Sequence, residues 1–277
     1  MKFARTSWIL LWGVIGFAMT HPGAVLVSGA KETGVVRHVI AHRGSSTDRP
    51  ENTLAAVQRA IEAGATAIEI DVRTTRDGHL VVLHDRRVDR TTNGKGDVGE
   101  MSLAEIRQLD AGSWFDPKYQ DQRVPTMAEL LKLCREHEID ALLDLKESGE
   151  EYAQCVVAVV REAGDPRRTI VGVRSVEQAR LFRQLLPEAR QLGFIPRPDD
   201  IEAFAESGVE MIRLWMRWLD DDTLVPRVRA AGAELQINVT RGHLEEIQPL
   251  LKYQPEAFLV DDPAELRRSL ATLTGGS

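Results

Sequence analysis

From Val35 onward, short apolar and β-branched runs alternate with longer stretches whose apolar residues recur every three to four positions, the rhythm of β-strands alternating with helices. The strand candidates are 35–41, 67–72, 80–84, 141–146, 169–173, 191–195, 211–215, 234–239 and 257–260. Between them, helical spacing gathers Leu54, Val57 and Ile61 on one face, then Met127, Leu130, Leu131 and Cys134, then Val156, Val159 and Val160. The same spacing recurs at Ala179, Phe182 and Leu186, at Ile201, Phe204 and Ala205, and at Leu244, Ile247 and Leu251. Gly64, Gly164, Gly208 and Gly232 fall where a helix should stop, as a left-handed C-cap requires.

Nine strand candidates are one too many for an eightfold barrel. The second and third are joined at Asp77-Gly78, a hairpin signal, across a gap too short for a crossover helix. The third therefore returns antiparallel to the second, and a two-residue loop would pair Thr74 with Val81, Val72 with Leu83 and Asp71 with His84. Discounting that strand leaves eight parallel βα units. The expected fold is α/β, a distorted (β/α)8 TIM barrel with one antiparallel hairpin strand, and its chemistry belongs at the carboxyl ends of the strands.

Composition narrows the function. The chain has 277 residues, 43% hydrophobic and 28% charged, enough for one barrel and incompatible with disorder. Thirty-five Lys and Arg against 42 Asp and Glu give a net charge of −7, so no basic surface points to nucleic acid. Cys134 and Cys155 are too few for a disulfide framework and lack zinc spacing; they read as buried thiols, with a single bridge between them left open. At the N-terminus, Lys2 and Arg5 precede an apolar run from Trp8 to Met19, and Ser28-Gly29-Ala30 offers small residues at a cut site. Residues 1–30 thus read as a secretory signal peptide, the apolar run being shorter than the roughly 20 residues of a membrane span. Removing them takes away two basic residues and no acidic ones, leaving 247 residues, 31–277, with a net charge of −9. The expectation is an exported, periplasmic or extracellular, single-domain protein with no stable membrane span.

The polar residues at the strand ends carry the chemistry. They are His42, Arg43 and Gly44 after the first strand, Glu69 and Asp71 on the second, His84 and Asp85 after the return strand, and Asp144 and Lys146 on the fourth candidate. Residues at i and i+2 share a side, so Glu69 points with Asp71, and Asp144 with Lys146. Three clustered carboxylates repel unless neutralised, and such hard oxygen donors suit Mg²⁺ or Ca²⁺. Two histidines beside them fit a general base and a general acid, while Arg43 and Lys146 suit an anionic substrate; together these fit attack on a phosphate ester. Each element alone has a structural reading, a hydrogen-bonded histidine or a solvated carboxylate; their convergence on one mouth favours function. His38, His79, His137 and His243 lie elsewhere and read as structural or surface residues.

Ala41-His42-Arg43-Gly44, Pro50-Glu51-Asn52-Thr53, Glu69-Ile70-Asp71-Val72, Asp77-Gly78, Val82-Leu83-His84-Asp85 and Arg90-Thr91-Thr92, in this order, resemble the signature of the glycerophosphodiester phosphodiesterase family. The likeness is strongest from His42 to about Leu131. It implies a small-molecule phosphodiester substrate, one divalent cation, and hydrolysis to an alcohol and a phosphomonoester such as glycerol 3-phosphate. By that likeness His42 and His84 match the acid/base pair, with His42 the base and His84 the acid. Glu69, Asp71 and Asp144 match the metal ligands, and Arg43 and Lys146 the phosphoryl-holding cations. Glu51 either sets the site or bonds substrate, unless its segment merely caps a helix. Two departures stand out. The family's third ligand is usually Glu, one methylene longer than Asp144, and a Trp-containing run near the penultimate strand is here Gln236-Ile237-Asn238-Val239-Thr240. Asn238 stands in as a substrate-binding candidate, and Trp215 and Trp218 offer either an apolar surface or rim packing. The competing functions are a phospholipase D-like activity on lysophospholipids or sphingomyelin, with Trp114 and Phe115 adding to the apolar surface, and a non-catalytic glycerophosphodiester-binding protein.

Overall fold

The computed structural model describes residues 36–274; the segment expected to be a signal peptide lies outside them. The elements run β1 (His38–His42), α1 (Leu54–Glu62), β2 (Ala67–Thr74), β3 (Leu80–Val82), α2 (Leu103–Ile106), α3 (Met127–Glu136), β4 (Asp140–Leu145) and α4 (Glu150–Ala163). They continue with β5 (Thr169–Val173), α5 (Val176–Leu185), β6 (Arg190–Gly193), α6 (Ile201–Glu206), β7 (Met211–Leu214), α7 (Leu224–Ala230), β8 (Glu234–Asn238), α8 (Leu244–Ile247), β9 (Ala257–Val260) and α9 (Pro263–Thr274). The sheet order is β1-β9-β8-β7-β6-β5-β4-β2-β3, and β1 also pairs with β2. Eight parallel strands therefore close on themselves, and β3 hangs antiparallel on β2.

The period of two along each strand builds two cores. On β2, Ile68, Ile70 and Val72 face outward into the large cluster that the helices cover; Leu143 and Leu145 on β4 and Ile212 and Leu214 on β7 do the same. The alternate residues Ile40, Ala67, Leu142, Ile170, Leu192, Met211 and Leu259 fill the barrel interior. Each larger member removed from water contributes about 1.5–3 kcal/mol. One step further along the same inward rows, at the carboxyl ends, the side chains turn polar. A third cluster, with Val81, Leu83, Val88, Val98, Ile106 and Val124, gives the long excursion after β3 a core of its own.

Three expectations are corrected. The hairpin pairs Val72 with Val82, Arg73 with Val81 and Thr74 with Leu80, one residue away from the two-residue-loop register. The Thr75 hydroxyl accepts from the His79 amide and donates to Asp77 Oδ1, closing a three-residue loop with Gly78 at φ +82°. Asp71 consequently lies opposite Leu83, whose amide bonds its carbonyl, and His84 is one residue beyond. Gly164 ends α4 in an extended rather than left-handed conformation (φ −94°, ψ −159°). Both cysteines are free, Cys134 buried and Cys155 exposed.

Candidate active site

The mouth begins where β1 ends. Arg43 takes a left-handed φ of 57°, a conformation that costs a side-chain-bearing residue about 1–2 kcal/mol, and so does Asn52 at 58°. The two are tied together: the Asn52 amide donates to the Arg43 carbonyl at 2.9 Å. Gly44 follows at φ +83°, and any Cβ there would stand 2.6 Å from the backbone of Ala56, so α1 packs directly onto this turn. Thr53 caps α1 by accepting from the Ala56 amide. The capping role thus falls to Thr53 and leaves Glu51 and Asn52 free for the mouth.

The strained turn serves the carboxylates. The Arg43 amide donates to Glu69 Oε2 at 2.9 Å, Asn52 Nδ2 donates to Asp71 Oδ2 at 2.7 Å, and Arg43 Nε lies 3.3 Å from that same oxygen. Register puts His42 beside Glu69, and Asp71 beside Asp144. Lys146 Nζ stands 2.7 Å from both Asp71 Oδ1 and Asp144 Oδ2, and Arg174 pairs with the other Asp144 oxygen. Glu69, Asp71 and Asp144 are all buried, with one oxygen of each lying within 4.8 Å of the others. Burial, then the charge of Asp71, raises the Glu69 carboxyl to about 7. Burial works against Asp144 ionising too, but Lys146 and Arg174 overcome it and hold its pKa below the usual value.

Three buried carboxylates this close, one of them resisting ionisation, are a donor set that a hard divalent cation fits. Asp71 Oδ1 is buried without an aligned hydrogen-bond donor, Lys146 touching it as a charge only. The residues present therefore accept the ion that the sequence leads one to expect.

Both histidines have one ring nitrogen pinned. His42 Nδ1 lies 2.7 Å from Asp261 Oδ1, and His84 Nδ1 lies 2.7 Å from Asp85 Oδ1. Burial alone would depress the His42 pKa, yet the Asp261 bond and the Glu69 charge raise it above 6.5. His84 is fixed from behind as well, since Arg73 Nε and Nη2 donate to its carbonyl at 3.0 and 2.7 Å. A relay of ion pairs then joins the two sides of the mouth. Arg90 clamps Asp85 (2.6 Å) and Glu51 (2.8 Å), and Glu51 in turn holds Arg43 (2.8 Å). The Arg90 bond, joined by that of His84, keeps Asp85 well below the usual carboxylate range. Arg43 and Arg90 between them occupy both Glu51 oxygens.

The far wall differs. Asn238 Oδ1 accepts from Gln236 Nε2 at 2.8 Å, and Gln236 Oε1 accepts from Arg213 Nε at 2.7 Å. The Arg213 guanidinium lies 4.1 Å from the Phe194 ring centroid and 5.7 Å from that of Trp215. Trp218 packs partly into the outer core, with Arg217 over its face. The nine candidates for catalysis, substrate binding and metal binding, His42, Arg43, Glu51, Glu69, Asp71, His84, Asp144, Lys146 and Asn238, thus stand on strands or loops of one mouth, while His38 sits at the opposite end of the barrel beside Arg190. Asp261 and Arg213 went unremarked in the sequence; only the inward alternation Leu259 to Asp261 and Met211 to Arg213 signals them. A groove of about 670 Å³ between α1 and α3, lined by Leu54, Gln58, Arg107 and Lys132 among others, includes none of these groups.

The sequence profile described as the glycerophosphoryl diester phosphodiesterase family matches residues 42–265. A glycerophosphodiester phosphodiesterase of Caldanaerobacter subterraneus subsp. tengcongensis is 39% identical over 235 residues, which cover 82% of this chain and 95% of that protein. Among solved structures, a phosphodiesterase of Oleispira antarctica in complex with the product sn-glycerol-3-phosphate superposes with a TM-score of 0.78 at 27% identity, covering 85% of this chain and 97% of that one. The glycerophosphodiester phosphodiesterase of Agrobacterium tumefaciens gives 0.74 at 29% identity, covering 83% and 99%. Profile, relatives and barrel agree: this chain belongs to the glycerophosphoryl diester phosphodiesterase family and is a hydrolase of glycerophosphodiesters.

Proposed function

We propose that His42 and His84 are the acid/base pair of this hydrolysis, working through their Nε2 atoms beside a divalent cation held by Glu69, Asp71 and Asp144. The observation that carries this reading is the matched pinning of the two imidazoles: each gives Nδ1 to a carboxylate and keeps Nε2 for proton transfer. A bound Mg²⁺ or Ca²⁺ would supply positive charge to a phosphoryl oxygen. Arg43 and Lys146 add cationic donors on the same side. Attack by water or a neighbouring hydroxyl forms one P–O bond as the bond to the departing alcohol breaks; in the hydroxyl route water then attacks the cyclic ester and breaks its ring P–O bond. One Nε2 takes the proton of the attacking oxygen and the other returns a proton to the leaving alkoxide; likeness to the family gives His42 the first task and His84 the second. Glu51, with both oxygens engaged, acts as a positioning residue between Arg43 and Arg90. Asn238 lines the far wall, where the alcohol arms reach.

The lysophospholipid alternative needs an apolar landing surface. Trp215 and Trp218 have arginine side chains over their rings, which leaves Trp114, exposed and edge-on to Phe115, as the apolar surface that alternative would have to use. Among the described residues no helix is long and apolar enough to cross a membrane. Export rests on Lys2, Arg5 and the apolar run from Trp8 to Met19; N-terminal sequencing of the protein from the culture medium or periplasm, starting at Lys31, would support it.

The test is alcohol release from glycerophosphocholine by the wild type and by His42→Ala, His84→Ala and Glu69→Gln, each with and without chelator. Turnover should vanish with chelator, return with Mg²⁺ or Ca²⁺, and be lost in all three variants without loss of the folded state. Near-full rates in either histidine variant would overturn the assignment of that residue.

A further inference from the structure

Around the barrel, β7 stands four strands from β2, directly across the mouth from Glu69 and Asp71. Its inward residue there is Arg213, 7% exposed. The cations gathered round the carboxylates are paired: Arg43 with Glu51 and Asp71, Lys146 with Asp71 and Asp144, Arg174 with Asp144, Arg90 with Glu51 and Asp85, whereas Arg217 and Arg241 on the mouth loops are exposed to solvent. Arg213 is neither. Among the described residues its one hydrogen bond runs from Nε to Gln236, a neutral amide whose orientation Asn238 fixes from behind, and no carboxylate there forms an ion pair with it. The guanidinium instead lies against Phe194 and Trp215, which hold its plane and leave both Nη groups uncommitted.

A cation held out of water without a partner is costly to desolvate, so a counter-charge is expected to meet it. Burial pulls its pKa down to about 10, which keeps it charged at neutral pH. The fields of Glu69, Asp144 and Asp71 favour that charge across the mouth, against the opposing field of Arg174. With a dication held by those carboxylates the balance is no longer needed, and Arg213 is left in surplus. Its free edge has the fork geometry that suits a carboxylate or a phosphate.

We propose that Arg213, backed by Gln236, Phe194 and Trp215, is a subsite for a second anionic group on the substrate, borne by the alcohol arm that crosses the mouth from the phosphodiester. This rests on the hydrolase reading above and deepens it. The enzyme then prefers glycerophosphodiesters whose head group carries a carboxylate or a further phosphate over equivalents that lack one.

Two matched substrate pairs isolate the added charge. Glycerophosphoserine differs from glycerophosphoethanolamine by one carboxylate, and the terminal phosphate monoester of glycerophosphoglycerol differs from its parent by one phosphate. The kcat/KM ratio within each pair is measured for the wild type, Arg213→Gln and Arg213→Lys, and the Kd ratio by calorimetry in His42→Ala with and without Arg213→Gln. A charge-assisted contact predicts a preference of about ten-fold or more for the anionic member of at least one pair. That ratio should fall close to one in Arg213→Gln and be partly kept in Arg213→Lys; whichever pair responds identifies carboxylate or phosphate. A wild-type ratio of one or less in both pairs, or a ratio that Arg213→Gln leaves intact, overturns the proposal. Failure to hydrolyse even glycerophosphoethanolamine would strike the hydrolase reading instead, and the calorimetric ratio would still decide the subsite.

Discussion

The Glu69 carboxyl links cation binding to pH in a way that can be worked from the structure. Unfolded, it releases its proton near 4.5; in the mouth, burial and the charge of Asp71 move that release to about 7. The folded state holds the proton more tightly, so this group's contribution to metal-free stability is complete below 4.5 and is lost as pH rises through 7. The full span is about 3 kcal/mol, of which about 1 kcal/mol falls between pH 6 and pH 8. A cation needs the ionised carboxylate, so its association constant should rise about ten-fold over the same interval, with close to one proton released per ion bound at pH 6 and few at pH 8. Calorimetric titration with Mg²⁺ or Ca²⁺ in buffers of different ionisation enthalpy reads both quantities. His42 also titrates above its ordinary value, so the control is Glu69→Gln, in which the ten-fold gain should disappear. Equal affinity at pH 6 and pH 8 in the wild type, or an undiminished pH dependence in Glu69→Gln, would refute the reasoning.

Other consequences follow from the same geometry. Asp261→Asn keeps the size of the His42 partner but removes its charge; kcat should fall on the order of 10²–10⁴-fold, and the His42 pKa followed by NMR should drop. Arg90→Ala frees Asp85 and Glu51 together, and a fall in kcat of roughly ten-fold or more, partly recovered in Arg90→Lys, would mark a positioning role. Asp144→Asn should weaken cation binding by about ten-fold or more at pH 8, checked by the same calorimetry. Only Cys155 should react with a thiol reagent in the native protein, because burial pushes the Cys134 thiol up to about 12; two reactive thiols per folded chain would contradict that.

The barrel was legible because its strands are apolar on both faces over most of their length, and the polar exceptions on β2 and β4 stand at one end. Glu69, Asp71 and Asp144 are conspicuous for that reason: a charge inside an apolar run has no packing explanation. The hairpin register was less legible, since Asp77-Gly78 signals a turn without fixing its length, and the Thr75 hydroxyl that adds a residue to the loop acts only through folded geometry. Helices α7 and α9 are not among the elements the spacing predicts, α7 being short and interrupted by Pro226 and α9 starting on Pro263 with only two residues between it and β9. Asp261 was hidden by its surroundings, because Asp261-Asp262-Pro263 reads as the approach to a helix. Its value comes from His42, 219 residues away, and the closure of β9 onto β1 brings the two together. Arg213 was hidden for the opposite reason: one arginine in Met211–Leu214 looks like an edge residue until the strand is seen buried on both sides.

Anomalous diffraction from crystals grown with Mn²⁺, a close substitute for Mg²⁺ with usable scattering, tests the central claim most directly. One strong peak should lie within about 2.0–2.6 Å of a carboxylate oxygen from each of Glu69, Asp71 and Asp144, with the His42 and His84 Nε2 atoms facing the same opening. A peak elsewhere, or none at saturating Mn²⁺ with Lys146 still bridging Asp71 and Asp144, would contradict the account.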